Sequence, residues 1–167
     1  HIIMNQEAKN KVSEAVEQAM ESNPKLEERF VLNSACISLR ERYDMGADDI
    51  AAGLCELGYS TGDVSRSMQT IGGGFFGAEE TEEAIQKFRT NKASEAVEQA
   101  MESNPKLEER FVLNSACISL RERYDMGADD IAAGLCELGY STGDVSRSMQ
   151  TIGGGFFGAE ETEEAIQ

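Results

Sequence analysis

The sequence predicts an all-α protein made of two near-identical bundles of about five short helices each. Three observations carry this. Residues 10–86 return as residues 91–167 with one change, Val12 to Ala93. Apolar residues recur every three or four positions through most of each repeat, the period of an amphipathic helix. No segment alternates apolar and polar residues between turns at hairpin spacing, as strands require.

A repeat of this length is a domain rather than a solenoid unit of about 20–50 residues. Its near identity points to an engineered fusion, and His1-Ile2-Ile3 ahead of Met4 reads as a tag remnant. Symmetric homodimers are the commonest oligomers. The chain therefore reads as a single-chain homodimer, its copies side by side or helix-swapped. The boundaries on this reading are 1–12 for the tag remnant and start of the first helix, 13–86 for copy 1, 87–93 for a linker compatible with helix, and 94–167 for copy 2.

The first helix is expected over Gln6–Ser22, with Ala15, Val16, Ala19 and Met20 on one side and Glu14, Glu17 and Glu21 on the other. Asn23-Pro24 ends it, and Pro24 suits the first position of a second helix capped by Asn23. That helix, 24–43, carries Leu26, Phe30, Val31, Leu32, Ala35, Ile37 and Leu39, a stripe wide enough for the centre of the fold. A third helix is expected over 47–57. Asp48 and Asp49 sit in its first turn, where the dipole favours anions, and Ile50, Ala51, Leu54 and Leu57 form its buried face. Gly58 ends it in a left-handed cap. Ser60 caps a fourth helix, with Asp63 reaching back in a capping box, and Val64 and Met68 are its core residues. Gly72-Gly73-Gly74 breaks that helix, and a fifth begins at Ala78. From Ala78 to Ser103 there is no Gly or Pro, so helix five is expected to run into helix one of the second repeat, with a fresh helix capped by Asn91 as the rival.

Charge excludes some functions. Residues 13–86 carry 15 acidic and 5 basic side chains, as do 94–167, and the whole chain has net charge −16. Such a surface repels phosphate and anionic lipid, suits a basic protein partner and favours solubility. No apolar run is long enough to span a membrane. Cys36, Cys55, Cys117 and Cys136 form no C-x-x-C pair and read as reduced core thiols of a cytoplasmic protein, with a Cys36–Cys55 bridge as the rival.

Several motifs invite chemistry. Residues 72–77 match G-x-G-x-x-G by letter, but a helix precedes them, and Glu79, Glu80, Glu82 and Glu83 would repel a pyrophosphate. The stretch reads as a hinge, and no cofactor is expected. Those four glutamates diverge in direction on a helix, and Asp44, Asp48 and Asp49 lack the spacing of a calcium loop, so no metal site is expected. Phe75 and Phe76, repeated as Phe156 and Phe157, either fold back to plug the core or anchor an interface. Residues 50–68 resemble a helix-turn-helix. On that reading Ser65, Arg66, Gln69 and Thr70, with Ser146, Arg147, Gln150 and Thr151, would contact DNA, although the surrounding charge makes nucleic acid an unfavourable partner. The only histidine is His1, so no Ser-His or Cys-His machinery exists beyond it, and no enzyme is expected.

The expected function is thus a non-enzymatic acidic helical regulatory or adaptor module acting by protein–protein interaction, with the sister copy and a basic protein as partners. A helix-turn-helix DNA-binding regulator is the first alternative. The second is a topology or stability experiment on a dimer, with no natural activity at stake.

Overall fold

The computed structural model describes residues 6–70 and 72–167. Among them nine helices follow one another: α1 Gln6–Ser22, α2 Glu28–Glu41, α3 Ala47–Glu56, α4 Thr61–Gln69, α5 Ala78–Ser103, α6 Glu109–Glu122, α7 Ala128–Glu137, α8 Thr142–Gln150 and α9 Ala159–Ile166. The chain forms two compact units that divide between Phe88 and Arg89, inside α5.

That division corrects the expected architecture. Two separate bundles would need a joint between finished domains, whereas the helix expected to run from Ala78 to Ser103 is continuous. Here Ala84, Ile85 and Phe88, from the first half of α5, lie in one core, while Ala93, Ala96, Val97 and Ala100, from its second half, lie in the other. One 26-residue helix serves both cores. A fused or helix-swapped homodimer, the engineered-fusion reading and the single-chain-dimer reading therefore have no support in the architecture. Each unit also closes a core of its own, so packing of sister copies is not needed to complete either.

In the unit before the division, α1 packs on α2 and α3, and α2 and α3 both pack on α4. Leu32, Leu39, Ile50, Leu54 and Met68 are fully buried at the centre. Burying a side chain of this size contributes about 1.5–3 kcal/mol relative to leaving it in water. In the second unit α6, α7 and α8 pack together, with α9 against α7 and α8, around Leu113, Leu120, Ile131, Leu135 and Met149.

Element ends show where local chemistry sufficed. Helix α3 closes as the sequence predicts: Gly58 has φ +105°, its N–H donates to the Cys55 carbonyl at 3.0 Å, and the Tyr59 N–H reaches Leu54 at 3.4 Å. Ser60 caps α4 by accepting from the Asp63 N–H at 3.1 Å. The return half of that box is not made; the Asp63 carboxylate instead accepts from Arg66 at 3.0 Å. Helix α2 starts four residues later than expected. Asn23 accepts from Lys25 and Leu26 in a tight turn over Pro24, and Glu27 is extended (ψ 152°), so the helix begins at Glu28. Three expected core residues are not in the core. Met20, Phe30 and Leu57 are exposed: Phe30 lines a groove between α2 and α4, and Leu57 lies just past the end of α3.

Candidate functional site

Each unit carries a glycine loop after its fourth helix. The chain leaves α4 at Thr70 and turns back at once. The Gly73 N–H donates to Thr70 at 2.9 Å, Gly74 to Ser67 at 2.9 Å, and Phe76 to Met68 at 2.6 Å, all through carbonyls of the last turns of α4. This return runs so close to α4 that a Cβ at Gly73 would meet the Ser67 carbonyl, and one at Gly74 would stand 3.2 Å from the Met68 carbonyl. Gly73 and Gly74 serve close approach, not hinge motion.

The two phenylalanines then part. Phe76 is 7% exposed and joins the core, while Phe75 is 64% exposed. Phe157 and Phe156 repeat the split at 6% and 65%. Both alternatives from the sequence are thus realised, one by each ring. Phe75 and Phe156 adopt φ +55° and +56°, left-handed backbone that costs an L-residue about 1–2 kcal/mol. Asp44 and Asp125 share this conformation at the ends of α2 and α6, but aspartate tolerates it and an aromatic does not.

A third part comes from α2. Arg40 lies 34 residues away in sequence; its Nη1 donates to the Gly74 carbonyl at 2.5 Å, and its guanidinium covers the Phe76 ring at 4.1 Å. Arg121 does the same to Gly155 at 2.6 Å and Phe157 at 4.1 Å, and also donates to the Phe156 carbonyl at 2.8 Å. Nothing in the linear pattern links Arg40 to the loop.

The DNA-contact residues are arranged otherwise. Arg66 pairs with Asp63 at 3.0 Å, Gln69 donates to Ser65 at 3.1 Å, and Thr70 donates to the Arg66 carbonyl at 2.7 Å. Arg147, Gln150, Ser146 and Thr151 repeat these bonds. A groove of about 290 Å³ between α2 and α4 is lined by Phe30, Asn33, Asp63, Arg66 and Thr70 among others. A DNA-reading helix needs its cations free for phosphate and base edges. These cations are neutralised by carboxylates one turn away, so the helix-turn-helix reading has no support.

The four cysteines are free thiols. Burial pushes Cys36 and Cys117 up to about 12, far from a reactive thiolate. Among the described residues no cluster of three His, Cys, Asp or Glu side chains is placed to hold a metal, and no helix is long and apolar enough to cross a membrane. The glutamates at 79, 80, 82 and 83 form the exposed start of α5, apart from Thr81 between them, which is buried. His1 lies outside the described residues.

No protein family, curated protein or solved structure matches the chain. The expected partners, a sister copy and a basic protein, gain nothing from the geometry. Each core is closed from within, and several of the exposed acids are paired with cations of the chain itself, as Asp63 is with Arg66 and Asp48 with Lys87.

Proposed function

We propose that the chain is a non-catalytic helical binding domain whose contact elements are the two glycine loops, with Phe75 and Phe156 as aromatic anchors for an apolar pocket on a ligand. The observation that carries this reading is a bulky ring held in water on strained backbone, at equivalent places in both units. Strain of this kind persists only where surrounding contacts over-determine it, and such residues cluster at binding sites. A large aromatic side chain contributes strongly to an interface when a partner buries it. The absence of catalysis is part of the proposal and is supported by the buried, protonated thiols and by a sequence whose only histidine is His1. A reducing, cytoplasmic setting is likewise proposed and supported by the free thiols.

The test is a random-peptide display selection on the intact chain, with each selected peptide then titrated against the parent chain and against Phe75→Ala/Phe156→Ala. Loss of an aromatic anchor is expected to weaken binding by about tenfold or more. Peptides that bind both proteins equally, or a selection that yields no binder, would remove the loops as contact elements.

A further inference from the structure

We infer that Arg40 and Arg121 are the positioning residues of these loops: each latches a loop in the one pose that buries one phenylalanine and presents the other. This rests on the loops being contact elements, and it names what controls them.

The exposed phenylalanine sits in a conformation it disfavours and needs tethers to stay there. Backbone bonds to α4 fix the stretch up to Gly74 and the Phe76 N–H, and in the second unit the N–H of the exposed residue itself, Phe156, also donates to the Thr151 carbonyl at 3.2 Å. A second tether, from a different helix, is the arginine of α2. One face of the guanidinium lies over the buried ring, and one edge donates to the carbonyl immediately before the exposed residue. In the second unit the same nitrogen also binds the carbonyl of the exposed residue itself. The planar fork of arginine can do both at once; a lysine ammonium over the ring would keep the charge and lose the second contact. The side chain comes from a different helix, so the latch ties the loop to α2 as well as to α4. Release would let the left-handed residue relax and the ring at 76 leave its seat.

Limited proteolysis of the full chain tests this without reference to any ligand. Chymotrypsin cuts after phenylalanine, so cleavage after Phe75 and Phe156 under native conditions reports opening of the loops. Arg40→Gln/Arg121→Gln is expected to speed cleavage at those two bonds by about tenfold, the equivalent of one charge-assisted hydrogen bond with its ring contact. Cleavage after Tyr43 and Tyr124, at the ends of α2 and α6, is expected to stay within about twofold. Arg40→Lys/Arg121→Lys is expected to fall between parent and Gln variant, and it decides the matter if the Gln variant does not fold. Equal rates at the loop bonds in all proteins would overturn the latch. So would rates that rise at the tyrosines as much as at the loops, because that pattern marks general destabilisation. Failure here leaves the peptide titrations untouched, whereas a failed titration leaves the cleavage pattern intact.

Discussion

The two units differ at one residue within the repeat, and the structure places that residue against a helix glycine. In the first unit Val12 of α1 lies over Gly53 of α3: a Cβ on that glycine would stand 2.5 Å from a Val12 methyl, and its three nearest atoms would all belong to Val12. In the second unit the counterpart of Val12 is Ala93. There a Cβ on Gly134 would meet the Arg89 carbonyl at 2.6 Å before it met Ala93 at 3.1 Å. Removing two methyls brings the backbone of α5 in where side chain had been. The same gap is filled by side chain in one unit and by main chain in the other. A glycine inside a helix costs about 1 kcal/mol relative to alanine, and both units keep it because it admits a neighbouring helix at close range.

The ion pairs beside this contact differ too. Arg89, for which the first unit has Ala8, pairs with Asp130 at 2.7 Å, and both side chains are only about 15% exposed. The first unit has instead the looser Lys9–Glu56 pair at 3.6 Å, on more exposed side chains. The difference comes from residues outside the repeat, where Ala8 and Lys9 stand in the places of Arg89 and Thr90.

The sharpest way to break the comparison is to fill the glycines. Gly134→Ala is expected to cost about 2 kcal/mol, because a carbonyl fixed in a helix cannot step aside, and overpacking costs about 1–3 kcal/mol. Gly53→Ala is expected to cost about 1 kcal/mol, since Val12 can shift. Urea titration of the two single variants measures both, and equal losses would mean that α1 and α5 approach their glycines alike. Next in size, Arg89→Ala is expected to cost about 1 kcal/mol and Lys9→Ala less than about 0.5 kcal/mol, the difference between a covered and an exposed pair. Thermal melts in low and high salt check this; only the Lys9 pair should be weakened strongly by salt.

A smaller effect of opposite sign is expected at Thr81 and Thr162. Both are fully buried, and among the described residues neither hydroxyl has a hydrogen-bond partner. Replacing either with valine keeps the shape and removes an unsatisfied group, so each unit should gain up to about 1 kcal/mol. A loss on calorimetry would indicate that a buried water satisfies the hydroxyl.

The mildest distinction lies in the thiols. Cys136 is partly accessible, whereas Cys36 and Cys117 are buried with their thiols pushed up to about 12 from 9.0. Native-state alkylation followed by mass spectrometry should label Cys136 well ahead of those two. Because folding raises the Cys36 and Cys117 values, the folded state holds their protons more tightly. Their contribution to stability is complete below about pH 9 and is lost as pH climbs from there towards about 12. A stability that rose over that interval would contradict their burial.

Local signals were strongest where one turn of chain decides the structure. Helical spacing placed α1 and α3 almost to the residue, Gly58 announced the end of α3, and Ser60 announced the start of α4. The same signals misplaced Met20, Phe30 and Leu57, because periodicity shows which side of a helix is apolar and not how far along it a neighbour extends. The capping box was half right for a related reason: Asp63 can reach back to the cap or forward to Arg66, and sequence offers both.

The sequence by itself determined the helical class, the repeat, most helix ends and the excess of acid. These follow from contacts within a turn or two, or from composition, and need no knowledge of distant neighbours. Only the tertiary structure decided that Arg40 lies over Phe76 from 34 residues away, and that Phe75 faces water while the next ring is buried. Those outcomes depend on which surfaces meet after the helices pack, and two adjacent identical letters, as in Phe75-Phe76, hold no information about which of them the core will take.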